Sequence, residues 1–330
     1  MTTTLSHPDA DVIVEELPNG MKEVSVRPRK GLFVPVDRCQ TDYPLSLIQL
    51  ILDIKGADYV CDEICRDADP GYVQRDLEHD LTAYFAESDF AGKRVLDFGC
   101  GSGASSMILA RAFPAAEIVG VELEPQLLTI ARARLQHYGY PNVQFHLSPS
   151  GNELPEGLGE FDFVILSAVY EHLLPGERRM VIPKVWSVIK PGGYLFLNMT
   201  PHRYFPIEHH TTGLPLINYL PPRLALAAAR KFSNRINPQE PWEVLLRRGI
   251  RGATENEILS ILRTVSGSRA VLLEPSRGGL RDRIDLWYSA LNRQRLKGLK
   301  KTLKGIMKGL RLVTGVTLVP NLSLVIRKDL

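Results

Sequence analysis

Cysteine is scarce in this chain, with four thiols in 330 residues: Cys39, Cys61, Cys65 and Cys100. Their spacings match no zinc ligand set, and four are too few to staple a chain of this length. No disulfide framework is expected, and a reducing cytoplasm is the expected setting. The Cys61-x3-Cys65 pair falls on one face of a helix and reads as structural. Long apolar runs are also missing: no stretch long enough to span a bilayer is free of Pro or charge. The start, Met1 to Pro18, is acidic and lacks a basic region followed by an apolar one, so no signal peptide is expected. Trp287 and Tyr288 are the only aromatics near the most basic segment, too few for base stacking, and nucleic acid is not an expected partner. No internal repeat is present.

What remains is the composition of a soluble enzyme. The hydrophobic fraction of 44% suffices for a substantial core, in one large domain or two small ones. A net charge of +3 conceals an asymmetry: residues 1–90 carry 18 acidic and 8 basic side chains, whereas residues 286–328 carry ten basic and no acidic ones. A segment so purely basic points to an anionic partner.

The most informative stretch is Val95-Leu96-Asp97-Phe98-Gly99-Cys100-Gly101-Ser102-Gly103, followed by Val119-Gly120-Val121-Glu122. A strand that stops in a glycine turn and feeds a helix lets backbone N–H groups approach a ligand, while a carboxylate at the tip of the next strand can accept from both ribose hydroxyls. That pattern predicts a nucleoside-cofactor site. Gly99, Gly101 and Ala104 also fit the dinucleotide fingerprint. Asp97 argues against a dinucleotide, because its charge repels a pyrophosphate but suits the ammonium group of an amino-acid-bearing cofactor.

Two further motifs follow, Phe161-Asp162-Phe163-Val164 and Leu195 preceded by Ile189-Lys190-Pro191-Gly192-Gly193-Tyr194. Together the four closely resemble those of the class I S-adenosylmethionine-dependent methyltransferases, of the small-molecule, ubiquinone-biosynthesis-like group, over about residues 90 to 200. The resemblance implies a Rossmann-like seven-stranded α/β sheet, mostly parallel with the last strand antiparallel, with an N-terminal helical cap and insertions after strands five and six. It implies S-adenosyl-L-methionine as cofactor. Gly99, Cys100, Gly101 and Gly103 would pass under its methionine and ribose, with Asp97 nearby and Ser167 at the end of the fourth strand. Glu122 would take the ribose hydroxyls and Leu123 lie against adenine. The family places an aspartate after the third strand for the adenine amino group. Here the chain reads Leu147-Ser148-Pro149-Ser150-Gly151-Asn152, and Asn152 or Ser150 can substitute.

The pattern predicts an arm or hairpin over Val12 to Val26 and helices over Pro44 to Ile54 and Gly71 to Phe85. Strands are expected at Arg94–Phe98, Glu117–Val121, Val143–Leu147, Phe161–Ser167, Tyr194–Met199, Ala270–Glu274 and Leu322–Arg327. Helices are expected at Ala104–Phe113, Pro125–Tyr138, Gly176–Ile189 and Glu255–Val265. The expected domains are 1–90, an arm and helical cap; 91–200, the cofactor-binding core; 201–253, an insertion acting as substrate lid; and 254–330, the rest of the core with a basic amphipathic helix.

For chemistry, strand four runs out into Tyr170-Glu171-His172, an ending similar to that of small-molecule methyltransferases. His172 is a candidate base, as are His209 and His210 in the insertion, which follows strand five and crosses the mouth of the same crevice. Glu208, His209 and His210 are metal-type ligands, but no further ligand has a convincing spacing and no metal is expected. In the basic segment, Leu296, Leu299, Leu303, Ile306, Met307, Leu310 and Val313 form one helical stripe and Lys297, Lys300, Lys301, Lys304, Lys308 and Arg311 the other. Residues 293–313 are therefore a candidate contact for an anionic membrane surface, making the protein cytoplasmic or peripheral to a membrane. The expected function is methyl transfer to an oxygen of a small, lipid- or sugar-linked acceptor. N- or C-methylation and a catalytically silent binding module are the alternatives.

Overall fold

The computed structural model describes residues 1–29, 32–265, 267–290 and 297–329. In chain order the strands and helices are β1 (Thr2–His7), β2 (Ala10–Glu16), β3 (Lys22–Pro28), β4 (Arg38–Thr41), α1 (Leu45–Lys55), α2 (Val60–Ala68), α3 (Arg75–Thr82), β5 (Arg94–Phe98), α4 (Ala104–Ala112), β6 (Glu117–Glu122), α5 (Pro125–Tyr138) and β7 (Val143–Leu147). They continue with β8 (Phe161–Ser167), α6 (Pro175–Ser187), β9 (Ile189–Pro201), α7 (Pro222–Phe232), α8 (Trp242–Arg247), α9 (Glu255–Arg263), β10 (Arg269–Leu273), α10 (Arg283–Ala290), α11 (Lys297–Thr314) and β11 (Asn321–Asp329). Seven strands form one sheet in the order β10-β11-β9-β8-β5-β6-β7, with β11 antiparallel to β9, which is the expected α/β class. The chain divides into two compact units, Met1–Glu78 with Phe90–Gly92 and Gly99–Ser148, and His79–Asp89 with Lys93–Phe98 and Pro149–Leu330.

In the first unit, β1 to β4 make a four-stranded antiparallel sheet. The expected hairpin is its centre: Val12 pairs with Val26 and Val14 with Val24, and all four are buried because strand alternation turns them to one face. Leu47, Ile48, Ile51 and Leu52 of α1 and Val60, Cys61 and Ile64 of α2 complete that core. The end strands escape a reading by alternation, since β1 buries only Leu5 and β4 is four residues long. Asp69 ends α2 and its carboxylate accepts from Gly71 N at 2.8 Å, so Asp69-Pro70 is a stop and restart between helices. All four cysteines are free, and Cys61 with Cys39 is buried, in line with a structural role.

Arg134 of α5 ties this unit together from a fully buried position. Its guanidinium lies 2.9 Å from Glu63 and 3.2 Å from Asp67, and it donates to Tyr43 Oη at 3.0 Å and to the carbonyl of Ser102 at 2.8 Å. Tyr43 donates in turn to Asp67 at 2.7 Å, and Lys55 stands 3.2 Å from Glu63. Burial pushes the Glu63 carboxyl up, but Arg134 and Lys55 outweigh it and hold it down at about 2.

In the second unit, β5 pairs in parallel with β8 and β8 with β9, placing Asp97 opposite Ile165. Residues 201–253, expected as an insertion, contain α7 and α8. Each opens behind a proline, and α8, six residues long, is too brief for a period to stand out. Ile217, Ala225, Ala229, Ile236, Leu245 and Ile250 give them a small core of their own.

The basic segment is helical as expected over α11, while Leu296 and the start of the 293–313 span lie outside the described residues. Its charge is less free than the pattern suggests. Lys304 stands 2.7 Å from Asp285, Lys308 2.6 Å from Asp282, and Arg311 2.6 Å from Glu274, acids that lie upstream of the run. Met307 is buried beside Ile284 and Val319, whereas Leu299, Ile306, Leu312 and Val313 are exposed. Among the described residues no helix is long and apolar enough to cross a membrane.

Replacing Arg134 by Met strands two buried carboxylates and is expected to destabilise the fold by roughly 3–5 kcal/mol in urea unfolding at pH 7. Because Glu63 titrates lower when folded, its contribution is full above the ordinary 4.5 and is lost as pH falls from there toward 2. The wild-type chain should lose stability across that window, and Arg134→Met should lose less of what it has left. An equal pH slope in both would place the acid sensitivity elsewhere.

Candidate active site

The glycine turn is held by the strand beside it within the first unit. Gly99 N and Cys100 N donate to Val121 O at 2.8 and 3.1 Å, and Gly103 N donates to Cys100 O at 2.9 Å. Gly101 and Gly103 have φ of +56° and +84°, and they differ in surroundings. A Cβ on Gly101 would meet nothing within 4 Å, so this backbone faces open space; one on Gly103 would lie 2.8 Å from Ala131 Cβ. Gly103 therefore lets α4 start close against α5, the packing role of the third glycine in such turns.

Glu122, at the tip of β6, accepts from Gly101 N at 2.8 Å with Oε2 and from Leu123 N at 2.7 Å with Oε1. Its carboxylate is thus set on the turn before any ligand arrives. Leu123 beside it is 43% exposed, an apolar face available to an adenine ring. Cys100 is buried with Leu128, Ala131 and Phe145, so only its backbone is placed to meet a ligand.

The other expected cofactor residues lie in the second unit. Asp97 is buried in β5, two residues before the turn along the chain. Asn152 has a buried Oδ1 with no hydrogen-bond partner, an acceptor of the kind an amino group needs. Ser150 is turned to Glu153 at 3.2 Å, and Ser167 donates to Met199 Sδ at 3.6 Å.

Beyond Ser167 the backbone leaves ordinary conformations. Ala168 and Met199 have φ of +54° and +61°, left-handed values that cost energy at non-glycine residues and concentrate at functional sites. Past this bend stand Glu171 and His172, and His210 of the insertion joins them. His172 Nε2 and His210 Nε2 each lie 3.9 Å from Glu171 Oε1, and the two imidazole centroids are 5.6 Å apart. His172 Nδ1 sits 2.6 Å from Arg247 O and His210 Nδ1 2.9 Å from Arg248 O. A carbonyl can only accept, so Nδ1 carries a proton in both rings, and in the neutral form of each ring Nε2 presents a lone pair. Burial, with His172 adding to it, holds the His210 pKa below its usual value, and burial raises that of the Glu171 carboxyl.

The structure separates the remaining candidates. His209 turns its Nε2 to Asn321 Oδ1 at 2.9 Å, while Glu208 accepts from His210 N and Thr211 N at 2.9 and 2.8 Å and so folds the loop that carries His210. Sequence reasoning paired His172 with the insertion but passed over Glu171, whose only signal is its place beside His172. It also passed over Thr200, which donates to Glu171 Oε2 at 2.8 Å, and Gly249, where a Cβ would lie 2.9 Å from His210 Nδ1. A cavity of about 650 Å³ opens nearby, lined among others by Leu173, Arg178, Arg203, Tyr204, Trp242 and Arg251. Leu173 follows His172 directly, so cavity and cluster share a segment.

A family model described as a methyltransferase domain matches residues 95–193. Residues 95–193 thus carry a methyltransferase domain. It is 34% identical to a ribosomal protein L11 methyltransferase of Vibrio campbellii, over 39% of this chain and 42% of that protein. It is 32% identical to a trans-aconitate 2-methyltransferase of Methylobacterium radiotolerans, over 33% of this chain and 38% of that protein. It is 29% identical to a ubiquinone biosynthesis O-methyltransferase of Acinetobacter baumannii, over 34% and 48% respectively. The chain thus spans less than half the length of these curated relatives. Among solved structures it is similar to the S-adenosylmethionine-bound amino pentose methyltransferase CalS10, with 31% identity over 37% of this chain and 48% of that one and a TM-score of 0.31.

In this methyltransferase domain the two glycines should respond differently to a methyl group. Gly101→Ala adds only left-handed strain, about 1–2 kcal/mol. Gly103→Ala adds the overlap with Ala131 as well, for about 1–3 kcal/mol more. Thermal melting of both variants checks this, and equal losses would contradict the packing role of Gly103.

Proposed function

We propose that the chain transfers a methyl group from S-adenosylmethionine to an oxygen of a small-molecule acceptor. The observation that carries this reading is the Glu171–His172–His210 cluster at the carboxyl end of β8, the strand beside that of Asp97. Open α/β sheets bind their ligands outside the carboxyl ends of their strands. The cofactor is assigned to the Gly99–Gly103 turn, with Glu122 on the ribose, Leu123 against adenine and Asp97 toward the ammonium group. At the cluster the acceptor hydroxyl gives up its proton. Its oxygen then bonds to the methyl carbon as the S–C bond breaks, and the sulfonium becomes a neutral thioether. Proximity and deprotonation supply most of what such a displacement needs. Imidazoles presenting lone pairs favour oxygen over nitrogen as the acceptor atom, because a neutral amine is already nucleophilic. The cavity falls within the usual range for small ligands.

Asp97→Ala and Glu122→Ala are each expected to weaken cofactor binding by about 1.5–3 kcal/mol, the worth of a hydrogen bond to a charged group, in calorimetry with S-adenosylmethionine. His172→Ala and His210→Ala should keep that affinity and lose turnover by roughly 10²–10⁴-fold, followed as S-adenosylhomocysteine release with hydroxylated acceptors. Unchanged affinity in both carboxylate variants, with the fold intact, would remove the cofactor assignment; full turnover in both histidine variants would remove the cluster from the chemistry.

A second reading, of reversible attachment to an anionic membrane through α11, is favoured by one observation: Leu299, Ile306, Leu312 and Val313 are exposed on a helix that also carries Lys300 and Lys301. With Lys304, Lys308 and Arg311 already paired, apolar insertion would contribute more than charge. Liposome flotation should then show binding that Leu312→Ser with Val313→Ser reduces and that salt reduces only in part. Equal recovery of the variant and the original chain would leave α11 a packed element of the fold.

A further inference from the structure

We propose that Glu171, His172 and His210 form a binding site for a divalent first-row transition-metal ion. The three side chains bring two imidazole nitrogens and a carboxylate oxygen, all metal-ligand atoms, to one place. Each Nδ1 is committed to a backbone carbonyl, Arg247 O or Arg248 O, which leaves each Nε2 lone pair directed to the side of Glu171. Thr200 occupies Glu171 Oε2, and Glu171 Oε1 is buried with no hydrogen-bond partner. A buried carboxylate oxygen facing two imidazole lone pairs is costly unless something positive sits among them.

The geometry fits an ion. The three ligand atoms lie within 4.8 Å of one another, with both Nε2–Oε1 separations at 3.9 Å. Bonds of ~2.0–2.2 Å at ordinary angles require ligands roughly 3.0–3.5 Å apart, a closure that small side-chain rotations supply. Two imidazoles select a transition metal over magnesium or calcium, and three protein ligands leave positions open, as catalytic sites do and structural ones do not. The carbonyls behind both imidazoles are the outer partners that metal-bound histidines require. His172 is partly exposed, so an ion can enter from solvent. The loop that presents His210 is folded by Glu208 independently of any ion. An ion here would acidify a bound hydroxyl. That role rests on the methyl-transfer reading; ion binding does not.

The test uses the full untagged chain, stripped with chelator, and titrates Zn²⁺ by calorimetry and Co²⁺ by its visible absorption. One ion per chain is expected. His172→Ala, His210→Ala and Glu171→Gln should each weaken binding roughly tenfold or more, and Gly249→Ala, which removes no ligand but crowds His210, by about 10–100-fold. His209→Ala should bind like the original chain, and circular dichroism verifies that each variant is folded. Absence of stoichiometric binding, or undiminished binding in the His172→Ala/His210→Ala double variant, would overturn the proposal. S-adenosylmethionine affinity measured in chelator keeps the two readings apart. Cofactor binding without ion binding sinks only the metal site, and ion binding without cofactor binding sinks only the methyl-transfer reading.

Discussion

Much of the first unit depends on a single buried cation. Arg134 reaches an early helix through Glu63 and Asp67, the entry to α1 through Tyr43, and the glycine turn through the Ser102 carbonyl. Desolvating a guanidinium is expensive, and only a full set of partners offsets it. The N-terminal sheet and its helices share one core, and Arg134 links that core to the turn at the chain's most informative motif. An apolar core could supply the stability alone. It could not specify the height of the turn, because dispersion contacts tolerate sliding where directed hydrogen bonds do not.

The second unit depends on a different constraint, the burial of Glu171. A carboxyl shut away from water takes its partners from a narrow set: here Thr200 bonds one oxygen, and the two imidazoles face the other at 3.9 Å. The left-handed residues Ala168 and Met199 bracket the approach to it, so the strain and the buried charge sit in one place. Neither feature favours folding. Both are tolerated because β8 and β9 pair over several residues around them.

How far a sequence can be read varies along this chain for physical reasons. β5, α5, β7 and β8 have their expected limits, because each is a run with one clear period between glycines, prolines or polar breaks. The glycine turn and Glu122 were legible because a contiguous motif carries them. β1 was not, since three threonines in a row give alternation nothing to alternate, and α8 was not, since six residues are less than two turns. The cluster was legible only by halves. His172 and His210 stand out as titratable residues. What organises them are the carbonyls of Arg247 and Arg248 and the missing side chain of Gly249, and a backbone oxygen leaves no mark in composition or spacing.

Those two carbonyls end the short helix α8, whose Trp242 and Leu246 line the cavity. One element therefore shapes the cavity and also accepts the hydrogen bonds that set the rotation of both imidazoles. The residues that choose a molecule and those that act on it are usually separable, so that a lineage can change preference and keep its chemistry. Here they share a lever: repacking Trp242 or Leu246 to admit a bulkier guest would tilt the helix end and detune the histidines. Changes at Tyr204 or Arg203, which line the cavity outside α8, would leave that helix end in place.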